Sequence, residues 1–340
     1  MSFVEDYLPK RINEGWLLTG YTLPNLEDQI RNVTPVLPIC SLGTPAEQLA
    51  ELGPMVLPPL YHEALGGGLK ERILQRILEC FPYSFDTGED VGFALVELPR
   101  EQNRCTLDQP ILAFSVDTAV EEHGPHLPLM TDTIQSYGIL GKLAESNQDL
   151  GIAPPAEYGH LTWGLPFGLS IDLSPELTTE YVANYLDALA VWSKAKAFYV
   201  VDVHGSIVHR TAIQDGMKKS DVRPMAFRWL HEPLIEYAGE RGDQHAGGVE
   251  TALVEYFNPQ LLDAQWWPSR RSGIVAGQMD MNEAIGLSSD LPAFRQRVVK
   301  GKLNGIVGDV GNYDRLDASK MVGEILEVAH GDLAELQKQL

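Results

Sequence analysis

The run Ala197-Phe198-Tyr199-Val200-Val201-Asp202-Val203 is apolar at every position but one, with no alternation of apolar and polar residues. A strand with one face in water alternates with period two; a strand without alternation is covered on both faces, as helices on both sides of a parallel sheet do. A second such run, Ile111-Leu112-Ala113-Phe114-Ser115-Val116, and a short one at Gly151-Ile152-Ala153-Pro154-Pro155 are separated by helically spaced stretches. From Asp108 onward strands and helices alternate. This predicts an α/β fold, a three-layer α/β/α sandwich around a mostly parallel central sheet. Helices are expected over about 133–145, from Pro175 (capped by Ser174) through Trp192, over Val249–Phe257, and at the C-terminus with an apolar face at Met321, Val322, Ile325 and Ala329.

Open sheets of this kind bind ligands beyond the carboxyl ends of their strands, so the polar residues that follow these runs are the candidate site. The first run leads into Glu121-Glu122-His123-Gly124-Pro125-His126-Leu127-Pro128-Leu129-Met130-Thr131-Asp132. Glu121 and His123, two apart, leave extended backbone on one face, and Asp132 can fold back to meet them after two proline-bearing turns. One imidazole with two carboxylates and no cysteine suits Zn, Mn or Fe. The second run delivers His204, and His245-Ala246-Gly247-Gly248-Val249-Glu250 opens a helix. Taken singly, these features also fit a solvated rim, a packed histidine and an acidic residue complementing a helix dipole.

Taken in order, the segments resemble the creatininase family, or creatinine amidohydrolases. Glu121 to Asp132 is similar to its E-Q-H-G-P-H-L-P-L-x-T-D signature, with Glu122 in place of Gln. Asp202-Val203-His204-Gly205-Ser206-Ile207 is similar to N-G-H-G-G-N, and His245 to Thr251 to H-A-G-x-x-E-T. Weaker likenesses lie at Phe167–Glu176 and at Gly305–Asp309 with Ala318–Gly323. The resemblance spans about 108 to 330. It implies a creatininase-like fold and two divalent cations, Zn, Mn or Fe, held by Glu121, His123, Asp132, His204 and Glu250, with Asp132 bridging both. It further implies His245 as a proton-transfer residue, with Glu122 as proton acceptor, partner to a ligand histidine, or merely a surface charge. Creatinine-hydrolysing members carry a Glu two residues after the motif histidine; here Ser206 stands there, which argues against creatinine as substrate. The expected activity is metal-dependent hydrolysis of the C–N bond of a small cyclic amide or formamide. Two alternatives stand beside it: opening of a non-amide ring such as an oxidised cyclitol, and an inactive relative retained for binding. The family also implies a homo-oligomer, a hexamer among the options.

The remaining 107 residues lie outside the resemblance and form either a small appended domain or an elaboration over the mouth of the 108–340 domain. They read as turn-rich connections around short helical patterns, the clearest at Leu69–Leu78. Gly66-Gly67-Gly68 lacks the spacing of a phosphate-binding loop. The chain's net charge of −21 excludes nucleic-acid backbones and anionic membranes as partners and leaves a small molecule. Cysteine only at positions 40, 80 and 105, no signal-like N-terminus and no long apolar span predict a cytoplasmic protein without disulfides.

Overall fold

The computed structural model describes residues 34–44, 48–49, 51–52, 56–84, 92–98, 107–124, 126–161, 164–238, 245–262, 279–303, 305–308, 310 and 313–340. Cys105, Pro125 and Asp309 lie outside the described residues.

Four parallel strands make the central sheet: β4 (Ile111–Ser115), β5 (Leu150–Ile152), β6 (Ala197–Asp202) and β7 (Met225–Trp229), in the order β5-β4-β6-β7. Every residue of β4 and β6 is buried, as their unbroken apolar runs require. Successive side chains then sort to opposite faces. Leu112, Phe114, Phe198 and Val200 join one core with α3 (Pro175–Trp192) and α4 (Ile207–Lys219). Ile111, Ala113, Ala197, Tyr199 and Val201 join another with α2 (Thr131–Ser146), α5 (Gly248–Phe257) and α8 (Ala318–Gln337). The expected three layers are present. Helix α3 starts and stops where its sequence indicates: Pro175 occupies its first turn, the Ser174 hydroxyl accepts from Leu177 N at 3.2 Å, and Tyr181, Tyr185, Leu186 and Leu189 are fully buried.

The N-terminal part differs from the expectation of short helices. Three strands, β1 (Val36–Cys40), β2 (Leu60–Tyr61) and β3 (Ala94–Glu97), form a second parallel sheet with β1 in the middle. Pro38 obscures β1, because a proline lacks the N–H a central strand donates, and β2 is too short to show a period. The predicted helix is present as α1 (Leu69–Ser84), longer than its apolar stripe suggested, with Leu69, Ile73 and Ile77 buried. Gly67 and Gly68, at φ +64° and +76°, make the turn that leads into it. Leu37, Ile39, Leu60, Ile73 and Ile77 belong to the same core cluster as Phe114 and Tyr185, and the Tyr158 hydroxyl donates to Pro58 O at 2.7 Å. Cys40 and Cys80 are both buried. Among the described residues no helix is long and apolar enough to cross a membrane.

Beneath the carboxyl edge of the sheet lies His209, fully buried on α4. Its Nε2 donates to Val116 O at 3.1 Å and its Nδ1 accepts from His160 N at 3.1 Å, so both nitrogens are engaged by backbone in the neutral ring. Gly159 permits this approach: a Cβ there would stand 2.3 Å from the imidazole. Burial, then repulsion from His204, pulls the His209 pKa down to about 3. The unfolded chain therefore binds a proton below about pH 6.5 that the folded chain refuses. Stability contributed by this group is full above pH 6.5 and falls as pH drops toward 3, by about 2 kcal/mol between pH 6.5 and 5. Urea midpoints across that range should show this fall in the wild type and a shallower one in His209→Gln.

Candidate metal centre

The motif residues gather at the carboxyl edge of the central sheet. Glu121 and His123 come from the loop after β4, Asp132 from the first turn of α2, His204 from just beyond β6, and Glu250 from the first turn of α5. Glu121, His123 and Asp132 are fully buried and Glu250 is 7 % exposed. Ligand atoms of Glu121, Asp132 and His204 lie within 4.8 Å of one another, as do those of His123, Asp132 and Glu250, and those of Glu121, His123 and His245. Asp132 belongs to two trios. Its Oδ1 is 3.3 Å from His123 Nε2 and its Oδ2 is 3.6 Å from His204 Nδ1. His204 Nδ1 is also 3.0 Å from Glu121 Oε2, and Glu250 Oε1 is 3.9 Å from His123 Nε2. All five sequence-predicted ligands are thus brought together. Glu255, the other acidic residue of α5, is exposed and meets Tyr313.

Local hydrogen bonds aim these side chains. His123 Nδ1 donates to the Glu121 carbonyl at 3.0 Å, which leaves the lone pair on Nε2 for the cluster. Glu250 Oε2 accepts from Ala246 N at 2.6 Å, leaving Oε1. The Thr118 hydroxyl donates to Asp132 Oδ2 at 2.6 Å and touches Glu121 Oε2. His245 Nε2 donates to the Glu122 carbonyl at 2.5 Å, and its Nδ1 stands 3.6 Å from Glu121 Oε1.

Electrostatically the cluster asks for positive charge. Burial pulls the His123 imidazole down, but Asp132, Glu250 and Glu121 together push it up to about 10; His204 is driven well above its ordinary value by Glu121 and Asp132 against the same burial. Burial lifts Glu250 to about 7. Among the described residues, the groups that bring positive charge to these carboxylates are the imidazoles of His123 and His204. Glu121 Oε1, His123 Nε2, Asp132 Oδ1 and His204 Nε2 are buried with no hydrogen-bond partner among the described residues. Such a nitrogen and carboxylate donor set, left unsatisfied, fits divalent cations.

Of the three roles the sequence left open for Glu122, a surface charge does not fit: it is 1 % exposed, its Oε1 accepts from Gly124 N at 2.5 Å, and burial pushes its pKa up to about 8. Gly305, at φ +84°, closes over it so tightly that a Cβ there would lie 1.7 Å from Glu122 Oε2. His245, the expected proton-transfer residue, is fixed by its hydrogen bond to the Glu122 carbonyl with Nδ1 toward Glu121, and burial and His123 hold its pKa well below the ordinary value.

Sequence reasoning missed Thr118, in the loop after β4, and His231. The His231 Nε2 is buried with no hydrogen-bond partner among the described residues, and burial lowers its pKa to about 4 while Asp132 opposes. The available signal was its place two residues past β7, at the same sheet edge as His204. Thr118→Val removes the hydroxyl that steadies two ligands; metal affinity should fall about 10–100-fold with the fold intact, read by titration against a chelator.

The stretches Tyr158–Leu161 and Gly164–Leu173 wall this centre. Ile171 N donates to Val120 O at 2.8 Å and Glu122 N to Ser170 Oγ at 3.0 Å, while a Cβ on Gly164 would come within 3.9 Å of Glu121 Oε1. On its far side, Arg76 Nε donates to Asp172 O at 2.9 Å and Arg76 Nη2 pairs with the Asp172 carboxylate.

The creatinine amidohydrolase family model matches residues 112–326, which include every residue of the centre. Mycofactocin precursor peptide peptidase of Mycobacterium ulcerans is 23% identical over 218 residues, covering 62% of this chain and 79% of that protein. Among solved structures, creatininase in a manganese form gives a TM-score of 0.51 at 15% identity, covering 67% of this chain and 91% of that one. A creatininase mutant of Zn-Zn type gives 0.50 at the same identity and coverage. The chain therefore belongs to the creatininase family, and it is a hydrolase acting on C–N bonds.

Proposed function

We propose that this chain hydrolyses the C–N bond of a small cyclic amide or formamide at a pair of divalent cations, Zn, Mn or Fe. Glu121, Asp132 and His204 would hold one, and His123, Asp132 and Glu250 the other. The observation that carries this reading is Asp132, whose two oxygens face one trio each. When bound, such cations supply Lewis acidity, polarising a carbonyl and making water a nucleophile near neutral pH.

The chain's own residues do the rest. Thr118 and the His123 to Glu121 hydrogen bond hold the ligands in place. His245, fixed through Nε2, presents Nδ1 beside Glu121, where it can take up a proton and return it to the departing nitrogen. Glu122 positions: its carbonyl holds His245 and its carboxyl holds the Gly124 turn. The wall of Tyr158–Leu161 and Gly164–Leu173 keeps bulk water from the cluster.

Ammonia or formate release from lactams and formamides by the metal-loaded protein tests the reading. Turnover of a keto-sugar with inertness toward every amide would sink it. A second reading, an open-chain peptide amide, is favoured by the name of the mycobacterial relatives; amine release from short peptides with no action on lactams would select it.

A further inference from the structure

One cation beside the centre has no part in the chemistry above. Arg210, in the first turn of α4, stacks its guanidinium on Trp229 of β7, 4.2 Å from the ring centroid. The Trp229 indole donates to Val203 O at 3.4 Å and packs against Gly205, where a Cβ would stand 2.7 Å from Nε1. Arg210 thus lies one indole away from the residue that follows His204. Stacking covers the guanidinium plane and takes none of its five N–H donors. Its Nε is buried with no hydrogen-bond partner, and no ion pair forms to it among the described residues. Asp202, whose charge it feels, turns Oδ2 to Gly205 N at 3.1 Å.

A partly buried guanidinium with its plane covered and its donors idle matches a planar oxyanion gripped by two parallel N–H bonds. Carboxylate and phosphate both fit that description. The neighbouring Glu121, Glu122, Asp132 and Glu250 disfavour a dianion more than a monoanion, so carboxylate is the better match. We propose that Arg210, held flat by Trp229, anchors a free carboxylate on the substrate. The hydrolysed amide then belongs to an amide-bearing acid whose carboxylate lies on the β7 side of the centre. The inference rests on the amide-hydrolase reading above.

The test uses metal-loaded protein and matched probes: N-formyl amino acids and dipeptides, each as the free acid and as its C-terminal amide. The free acid should be preferred about 10–100-fold in kcat/KM, mainly through KM, an effect typical of one charge-assisted contact. Arg210→Gln should collapse that preference toward one without changing metal content by elemental analysis, and Arg210→Lys should restore part of it. Equal action of the wild type on acid and amide, or equal losses on both in Arg210→Gln, overturns the anchor and leaves the hydrolase reading standing. If no probe is turned over, and lactams are not turned over either, the hydrolase reading fails, and calorimetric titration with the same pairs still decides the anchor. Binding of the acid alone, lost in Arg210→Gln, supports it; equal binding or none overturns it.

Discussion

Asp132→Ala should leave a folded protein that holds neither cation and turns over no amide. Asp132 is the residue common to the trio with Glu121 and His204 and the trio with His123 and Glu250, so its loss breaks both proposed cation sites at once. Glu250→Ala, by comparison, should empty one trio and weaken the other only through lost charge. Removing both ions takes away several kcal/mol of carbonyl polarisation, and with each 1.36 kcal/mol worth a factor of ten, activity should fall at least ~10³-fold. Thermal unfolding gives a readout independent of substrate. A cation at 100 times its Kd raises stability by about 2.7 kcal/mol per site, so Zn or Mn should raise the Tm of the wild type and leave that of Asp132→Ala unmoved. A metal-dependent rise that survives in Asp132→Ala would place the ions elsewhere and dissolve the bridging arrangement.

Which parts of this centre can be read from sequence follows from how each residue is held. Glu121, His123 and Asp132 share twelve consecutive residues, and the turns that fold Asp132 back are written among them as prolines and glycine. His204 is legible because an unmistakably buried strand ends just before it, and Glu250 because its motif opens a helix. For Glu122 the sequence leaves three roles open, because what buries it comes from Gly305, 183 positions away, and no local pattern reports so distant a lid. Thr118 was overlooked because a lone hydroxyl has no signature until its two acceptors are placed beside it. Likewise the second sheet was missed: β2 is two residues long, β1 carries a proline, and parallel pairing joins segments with no shared local period.

Arg76→Ala, far outside the motifs, should carry the other large effect. The Asp172 carboxylate that Arg76 meets is 1% exposed, and its Oδ1 accepts from Leu161 N at 2.7 Å and lies 3.1 Å from His160 Nδ1. Removing one partner of a buried pair leaves the other charged and unpaired, which costs about 3–5 kcal/mol; Arg76 keeps a quarter of its side chain in water, so the lower end applies here. The loss should also reach the centre, because the same wall touches Val120 and Glu122 through Ile171 and Ser170. The expected result is a lower urea midpoint together with reduced kcat under conditions where the variant is still folded. Arg76→Lys, which keeps the charge but loses the second contact to Asp172 O, should recover only part of both. The chain before residue 108 would then be a working part of the site, since α1 presses on the wall that encloses the metal ligands. A variant that loses stability but keeps full kcat while folded would separate the two, leaving the N-terminal sheet and helix as a brace for the core alone.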